Sequence, residues 1–64
     1  VNKLTQRELD ILTVLGTGVR NEEIADKLNI SAHTVKAHLY NIYRKIGVNS
    51  RAQALIWASR HFPR

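Results

Sequence analysis

The sequence predicts an all-α fold, a compact four-helix bundle, and three observations lead there. Apolar residues recur at spacings of three and four along the chain, without the alternation that a strand needs. Four polar cap signatures stand directly before apolar runs: Thr5-Gln6-Arg7-Glu8, Asn21-Glu22-Glu23, Ser31, and Ser50-Arg51-Ala52-Gln53. Sixty-four residues, with no low-complexity tract and a single Pro at position 63, suffice for one domain and one small core.

The first helix opens on a capping box, in which Thr5 accepts from the Glu8 amide and Glu8 reaches back to the amide of Thr5. Leu4 and Leu9 flank it as a hydrophobic staple, Ile11, Leu12 and Leu15 continue the stripe, and Gly16-Thr17-Gly18 ends it. The second helix is expected to start after Asn21 as N-cap, with Glu22 and Glu23 in the dipole-favoured first turn and Ile24, Ala25 and Leu28 facing inward. Ser31 caps the third, whose inward set Val35, Leu39, Ile42 and Ile46 falls within about 40° at 100° per residue. Gly47 is its left-handed stop. The fourth begins with a second capping box at Ser50 and Gln53, turns Ala54, Leu55, Ala58 and Phe62 to the core, and ends at Pro63.

With no cysteine, stability has to come from helix packing rather than from disulfides. The same lack, with no apolar run long enough to span a bilayer, points to a cytoplasmic protein that does not use a membrane. The chain starts Val-Asn-Lys rather than with Met, which suggests a piece of something longer.

The formal charge of +5 is unevenly placed. Up to Asp26 the chain has three cations against five acids; beyond it stand Lys27, Lys36, Arg44, Lys45, Arg51, Arg60 and Arg64 with no acid at all. Such segregation favours a polyanionic partner touched by the second half, a merely solvated basic surface being the plain alternative.

Only Asn29-Ile30-Ser31 separates helices two and three, so they have to meet steeply as a helix-turn-helix. Ala25 is small at the crossing, Asn29 tolerates a left-handed turn, and Val35 follows Ala25 by ten residues to pack against it. An ordinary helical hairpin is the competing reading, but these three residue types coincide at the intervals a helix-turn-helix needs.

In the functional reading the third helix, residues 32–46, enters a DNA major groove. Thr34, Lys36, Ala37, Tyr40 and Asn41 are then the base-facing set. Ala37 lets the backbone approach, Lys36 suits guanine or a phosphate, and Tyr40 and Asn41 hydrogen-bond to either. Phosphate contacts are expected from Arg20, Asn21, Ser31, His33, Arg44, Lys45, Ser50 and Arg51, several of them at helix starts where free amides favour an anion. Glu8 has few partners nearby in sequence, so Lys45 or Arg51 could instead pair with it across the bundle.

Together Leu4-Thr5-Gln6-Arg7-Glu8, Asn21-Glu22-Glu23-Ile24-Ala25, Ser31-Ala32-His33-Thr34-Val35-Lys36-Ala37-His38, Lys45-Ile46-Gly47-Val48 and Ser50-Arg51-Ala52-Gln53-Ala54 closely resemble the LuxR/FixJ-type (NarL-like) DNA-binding domain. The resemblance covers nearly the whole chain. It implies a four-helix output domain at the C-terminus of a bacterial transcription regulator, usually behind a receiver or ligand-binding domain. It also implies that the residues after the Thr-Val pair read the major groove, here Lys36, Ala37 and Tyr40. The family commonly dimerises through its last helix, which maps onto Ile56, Trp57 and Arg60, with Trp57 as a cap on the small core the alternative. The run Gln53-Ala54-Leu55-Ile56-Trp57-Ala58 is similar to the branch of biofilm-matrix regulators. Gly16-Thr17-Gly18 and Gln53, where many relatives carry Glu, depart slightly from the pattern.

No enzyme site assembles. His33 and His38 lie about 140° apart around their helix and share no metal face, zinc would find no cysteine, and no cofactor is expected. Gly16-Thr17-Gly18 lacks the strand and the glycine pattern of a nucleotide fold, and Asn29-Ile30-Ser31 is only formally a glycosylation sequon. Two rivals remain. One is a protein-interaction bundle whose basic face binds an acidic partner such as a subunit of RNA polymerase; the other is the DNA-binding module of a sigma factor.

Overall fold

The computed structural model describes residues 3–62 and contains four helices: α1 Gln6–Leu15, α2 Asn21–Leu28, α3 Ala32–Ile46 and α4 Arg51–His61. Helix α1 packs against each of the other three, and α2 packs against α3. The expected end of α4 at Pro63 lies outside the described residues.

Each start has a local cause. Thr5 and Glu8 close the capping box of α1, the Glu8 amide giving to Thr5 Oγ1 at 3.2 Å and the Thr5 amide to Glu8 Oε1 at 2.9 Å. At α2 the N-cap is Arg20, not Asn21 as expected: Glu23 accepts from the Arg20 amide at 3.1 Å, and Asn21 is already the first helical residue. Its side chain is thereby released for another partner. Ser31 caps α3 through the Thr34 amide. Ser50 accepts from the Gln53 amide, but Gln53 Oε1 returns to Asn49 rather than to Ser50, so the second box serves the residue ahead of the cap.

Two of the stops share one design. Asn29 sits at φ 58°, ψ 46°, so that the Ile30 amide reaches back to the Ala25 carbonyl at 3.0 Å and the Asn29 amide to that of Asp26. Gly47, at φ 74°, lets the Val48 amide reach Tyr43 in the same way. Ile30 and Val48, just past the two stops, fold back against the core. This is the Schellman turn with its hydrophobic contact, and at Asn29 it turns the chain from α2 into α3.

The core is Ile11, Leu12, Leu15, Ile24, Ala25, Val35, Leu39, Ile42, Ala54 and Ala58, each at most 5% exposed. Ala25 and Val35 both lie in it, as the helix-turn-helix spacing requires. Leu28, Ile46 and Phe62 are half-buried against it rather than inside it.

Leu55 departs from expectation. It is 38% exposed and lines an open cavity of about 270 Å³ with Leu15, Gly18, Val19, Arg51 and Ala52. The reason is close approach: Ala54 and Ala58 are fully buried, and a Cβ on Gly16 would stand 3.4 Å from that of Ala58. A helix that comes so near presents alanines to α1, and a leucine one position round is left at the rim.

Candidate nucleic-acid interface

The inward side of α3 is held by Val35, Leu39 and Ile42, all buried. At 100° per residue this turns Lys36, Ala37, Tyr40, Asn41 and Arg44 outward, and each of the five is exposed. Thr34 is half-buried: its amide is tied to Ser31 Oγ, and its Oγ1 lies 2.8 Å from the same atom. The first turn of α3 is thus stiffened at the end where its free amides point out. Four of the five base-facing candidates lie exposed along one side, and Thr34 is at its N-terminal edge.

Tyr40, 65% exposed, carries the Arg44 guanidinium over its ring at 5.8 Å from the centroid. The stack holds two long side chains in one direction without the help of the core. No carboxylate lies on α3, so this surface meets a polyanion without a like charge.

The other candidate contacts divide. Arg20, Ser31, His33 and Ser50 are exposed, and the Ser31 and Ser50 hydroxyl oxygens accept from the Thr34 and Gln53 amides as caps. Arg51 ties α4 to the loop before α2, giving Nη1 to Asn21 Oδ1 and Nη2 to the Val19 carbonyl, both at 2.6 Å. Asn21 is therefore the acceptor of a tertiary bond.

Lys45 is the partner of Glu8, at 2.8 Å. The Glu8 side chain is only 6% exposed. Burial alone would push its carboxyl up, but the hydrogen bonds from Lys45 and the Thr5 amide, the Lys45 charge and the Thr5 hydroxyl together outweigh it and hold the group below its ordinary range. Of the two cations considered for Glu8 from sequence, Lys45 takes the place. The last turn of α3 is thereby fastened to the start of α1.

That fastening brings in a residue to which sequence reasoning assigned no role. Lys3 lines a concavity with Asn41, Arg44 and Lys45. The signal was present in the Glu8–Lys45 pairing, since residue 3 stands just ahead of the capping box that Glu8 closes.

On α4, Ile56 is 55% exposed and Arg60 is exposed. Trp57 is half-buried against the core, with the His61 ring stacked on it at 3.8 Å and Phe62 edge-on at 6.0 Å. Of the three residues expected at a partner surface, Ile56 and Arg60 are open and Trp57 is partly covered by its own chain. Among the described residues, no helix is long and apolar enough to cross a membrane.

Residues 2–58 match the family model described as bacterial regulatory proteins, luxR family. The chain is 51% identical over 61 residues to the probable csgAB operon transcriptional regulatory protein of Salmonella typhimurium, covering 95% of this chain and 28% of that protein. It is 53% identical over 53 residues to the nitrate/nitrite response regulator protein NarP of Escherichia coli, covering 83% and 25%. Against the response regulator protein VraR of Staphylococcus aureus it is 45% identical over 58 residues, covering 91% and 28%. The chain thus spans about a quarter of the length of the curated relatives it matches. With the capped helices, the left-handed turn at Asn29 and the acid-free face of α3 agreeing with that match, the chain belongs to the luxR family of bacterial regulatory proteins, as a DNA-binding helix-turn-helix domain.

Proposed function

We propose that the chain binds double-stranded DNA sequence-specifically as a homodimer, each copy laying α3 in one major-groove half-site. It serves as the output end of a longer transcription regulator, acting in the cytoplasm, where a bacterial chromosome is. The observation that carries the reading is the exposed row Lys36, Ala37, Tyr40, Asn41 and Arg44 on a helix without a carboxylate. Ala37 permits close approach of the backbone, Lys36 and Asn41 supply hydrogen bonds to base edges or phosphates, and Arg44 with Tyr40 reaches toward the backbone strand. Thr34 contributes at the N-terminal edge, and Arg20, Ser31, His33 and Ser50 lie on phosphates. Lys45 and Arg51 act there only with whatever donor capacity their internal bonds leave. Exposed Ile56 and Arg60 on α4, with the accessible part of Trp57, form the dimer contact.

A selection from random duplexes, followed by a salt titration on the selected site, tests this. The expected result is a pseudo-palindrome with half-sites about one helical turn apart and an affinity that falls steeply with salt. Lone monomers bind weakly, because one small module makes few contacts. Lys36→Ala costs about 1 to 3 kcal/mol, and the loss is confined to one base position if Lys36 reads a base. Salt-insensitive binding, or no enriched sequence, removes the reading.

A further inference from the structure

We propose that Lys3, from the segment before α1, and Arg44, from α3, grip the same DNA phosphate in the concavity they line with Asn41 and Lys45. The inference rests on α3 being the groove helix and adds a contact from outside the helix-turn-helix. The concavity, of about 360 Å³, has three cations and one amide around it and no acid. That composition fits a single phosphodiester, with two free charges and a neutral donor converging on it.

Neutralisation inside the protein leaves those two charges available. Glu8, the acid paired with Lys45 at 2.8 Å, also accepts from the Thr5 amide. Lys45 therefore acts as a strut, placing the start of α1 beside the last two turns of α3. Arg44 leans on the Tyr40 ring, and Lys3 is exposed and free to close from the opposite side. A phosphate held here lies beside Asn41, next to the strand that borders the groove occupied by α3. A phosphate carries no base identity, so this contact sets affinity and register rather than sequence choice.

The experiment uses the chain with two duplexes of about 20 base pairs, one carrying the selected operator and one of random sequence. Lys3→Ala is expected to weaken binding to both by the same factor, about threefold to tenfold, and to lower the slope of log affinity against log salt by about one. Lys3→Arg restores most of the loss. In the double variant with Arg44→Ala, the combined loss is smaller than the product of the two single losses, because both side chains serve one phosphate. Unchanged affinity and salt slope in Lys3→Ala, with the wild type binding normally, overturns the Lys3 contact alone; so does a loss confined to the operator, and strict additivity overturns the shared phosphate. A wild type that binds neither duplex removes the groove reading itself, and this contact with it.

Discussion

Helices α3 and α4 lie in the same small bundle, yet they divide their residues in opposite ways. Helix α3 buries three large aliphatic side chains, Val35, Leu39 and Ile42, and turns a polar row outward. Helix α4 fully buries only Ala54 and Ala58, with Leu55 at the rim and Ile56 more than half exposed. The difference teaches that the two faces do different work. In α3 the apolar residues build the fold and the outer side is left for chemistry. In α4 the fully buried anchoring needs little volume and Trp57 covers only the edge of the core, so Leu55 and Ile56 are the apolar residues surplus to the monomer.

The sharpest way to break this contrast is to charge the outer side of α3. Ala37→Glu places a carboxylate in the middle of the exposed row, where it would face DNA phosphates. Like-charge juxtaposition costs several kcal/mol, so binding should be lost while far-UV circular dichroism stays unchanged. Retained affinity would take α3 out of the groove.

Next in size is the inward side of the same helix. Ile42 is fully buried, and Ile42→Ala should destabilise by about 2 to 5 kcal/mol in urea unfolding. In a domain of this size that is a large part of the total stability. A loss below about 1 kcal/mol would mean that α3 contributes no more to the core than α4 does.

A smaller effect separates the two helices through pH. The Glu8 carboxyl is held below its ordinary range by Lys45 on α3 and by Thr5. A carboxyl whose folded value is depressed stabilises the fold above its unfolded value and loses that contribution as pH falls through the folded one. The wild type should therefore lose stability on acidification below about pH 4.3. Glu8→Gln should be less stable at neutral pH and flatter through that acid range. Equal acid profiles for the two proteins would show that the pairing of α1 with α3 adds nothing.

Much of this arrangement was legible in the sequence because caps and periodicity are local signals. Thr5 with Glu8, Ser31, Asn29 and Gly47 each announce a helix end through chemistry confined to a few residues, and each holds in the structure. The outward row on α3 followed from the same periodicity once Val35 and Leu39 were set inward. What was not legible depends on distance between elements. Whether Leu55 enters the core is decided by how closely α4 meets Gly16, and no pattern within α4 records that. Arg20 displaces Asn21 at the α2 cap while Arg51, thirty residues on, takes up Asn21's amide oxygen. Lys3 lies beside Asn41 and Arg44 where the tie between Glu8 and Lys45, thirty-seven residues apart, and the packing of Leu4 on the core bring the two segments together.

The smallest effect on the fold is expected where the surplus is. Ile56 is more than half exposed, so Ile56→Ser removes little buried area and should change monomer stability by less than about 1 kcal/mol. Its consequence lies elsewhere if α4 carries the dimer contact. Two copies on one operator share the cost of binding, and weakening their contact should lower operator affinity and flatten the concentration dependence of binding, while affinity for a single half-site stays the same. Arg60→Ala should act in the same direction, since Arg60 flanks Ile56 on the open side of α4. If both substitutions leave operator and half-site binding in their original ratio, α4 is not the contact, and its exposed apolar residues are no more than the rim of a helix anchored by two alanines.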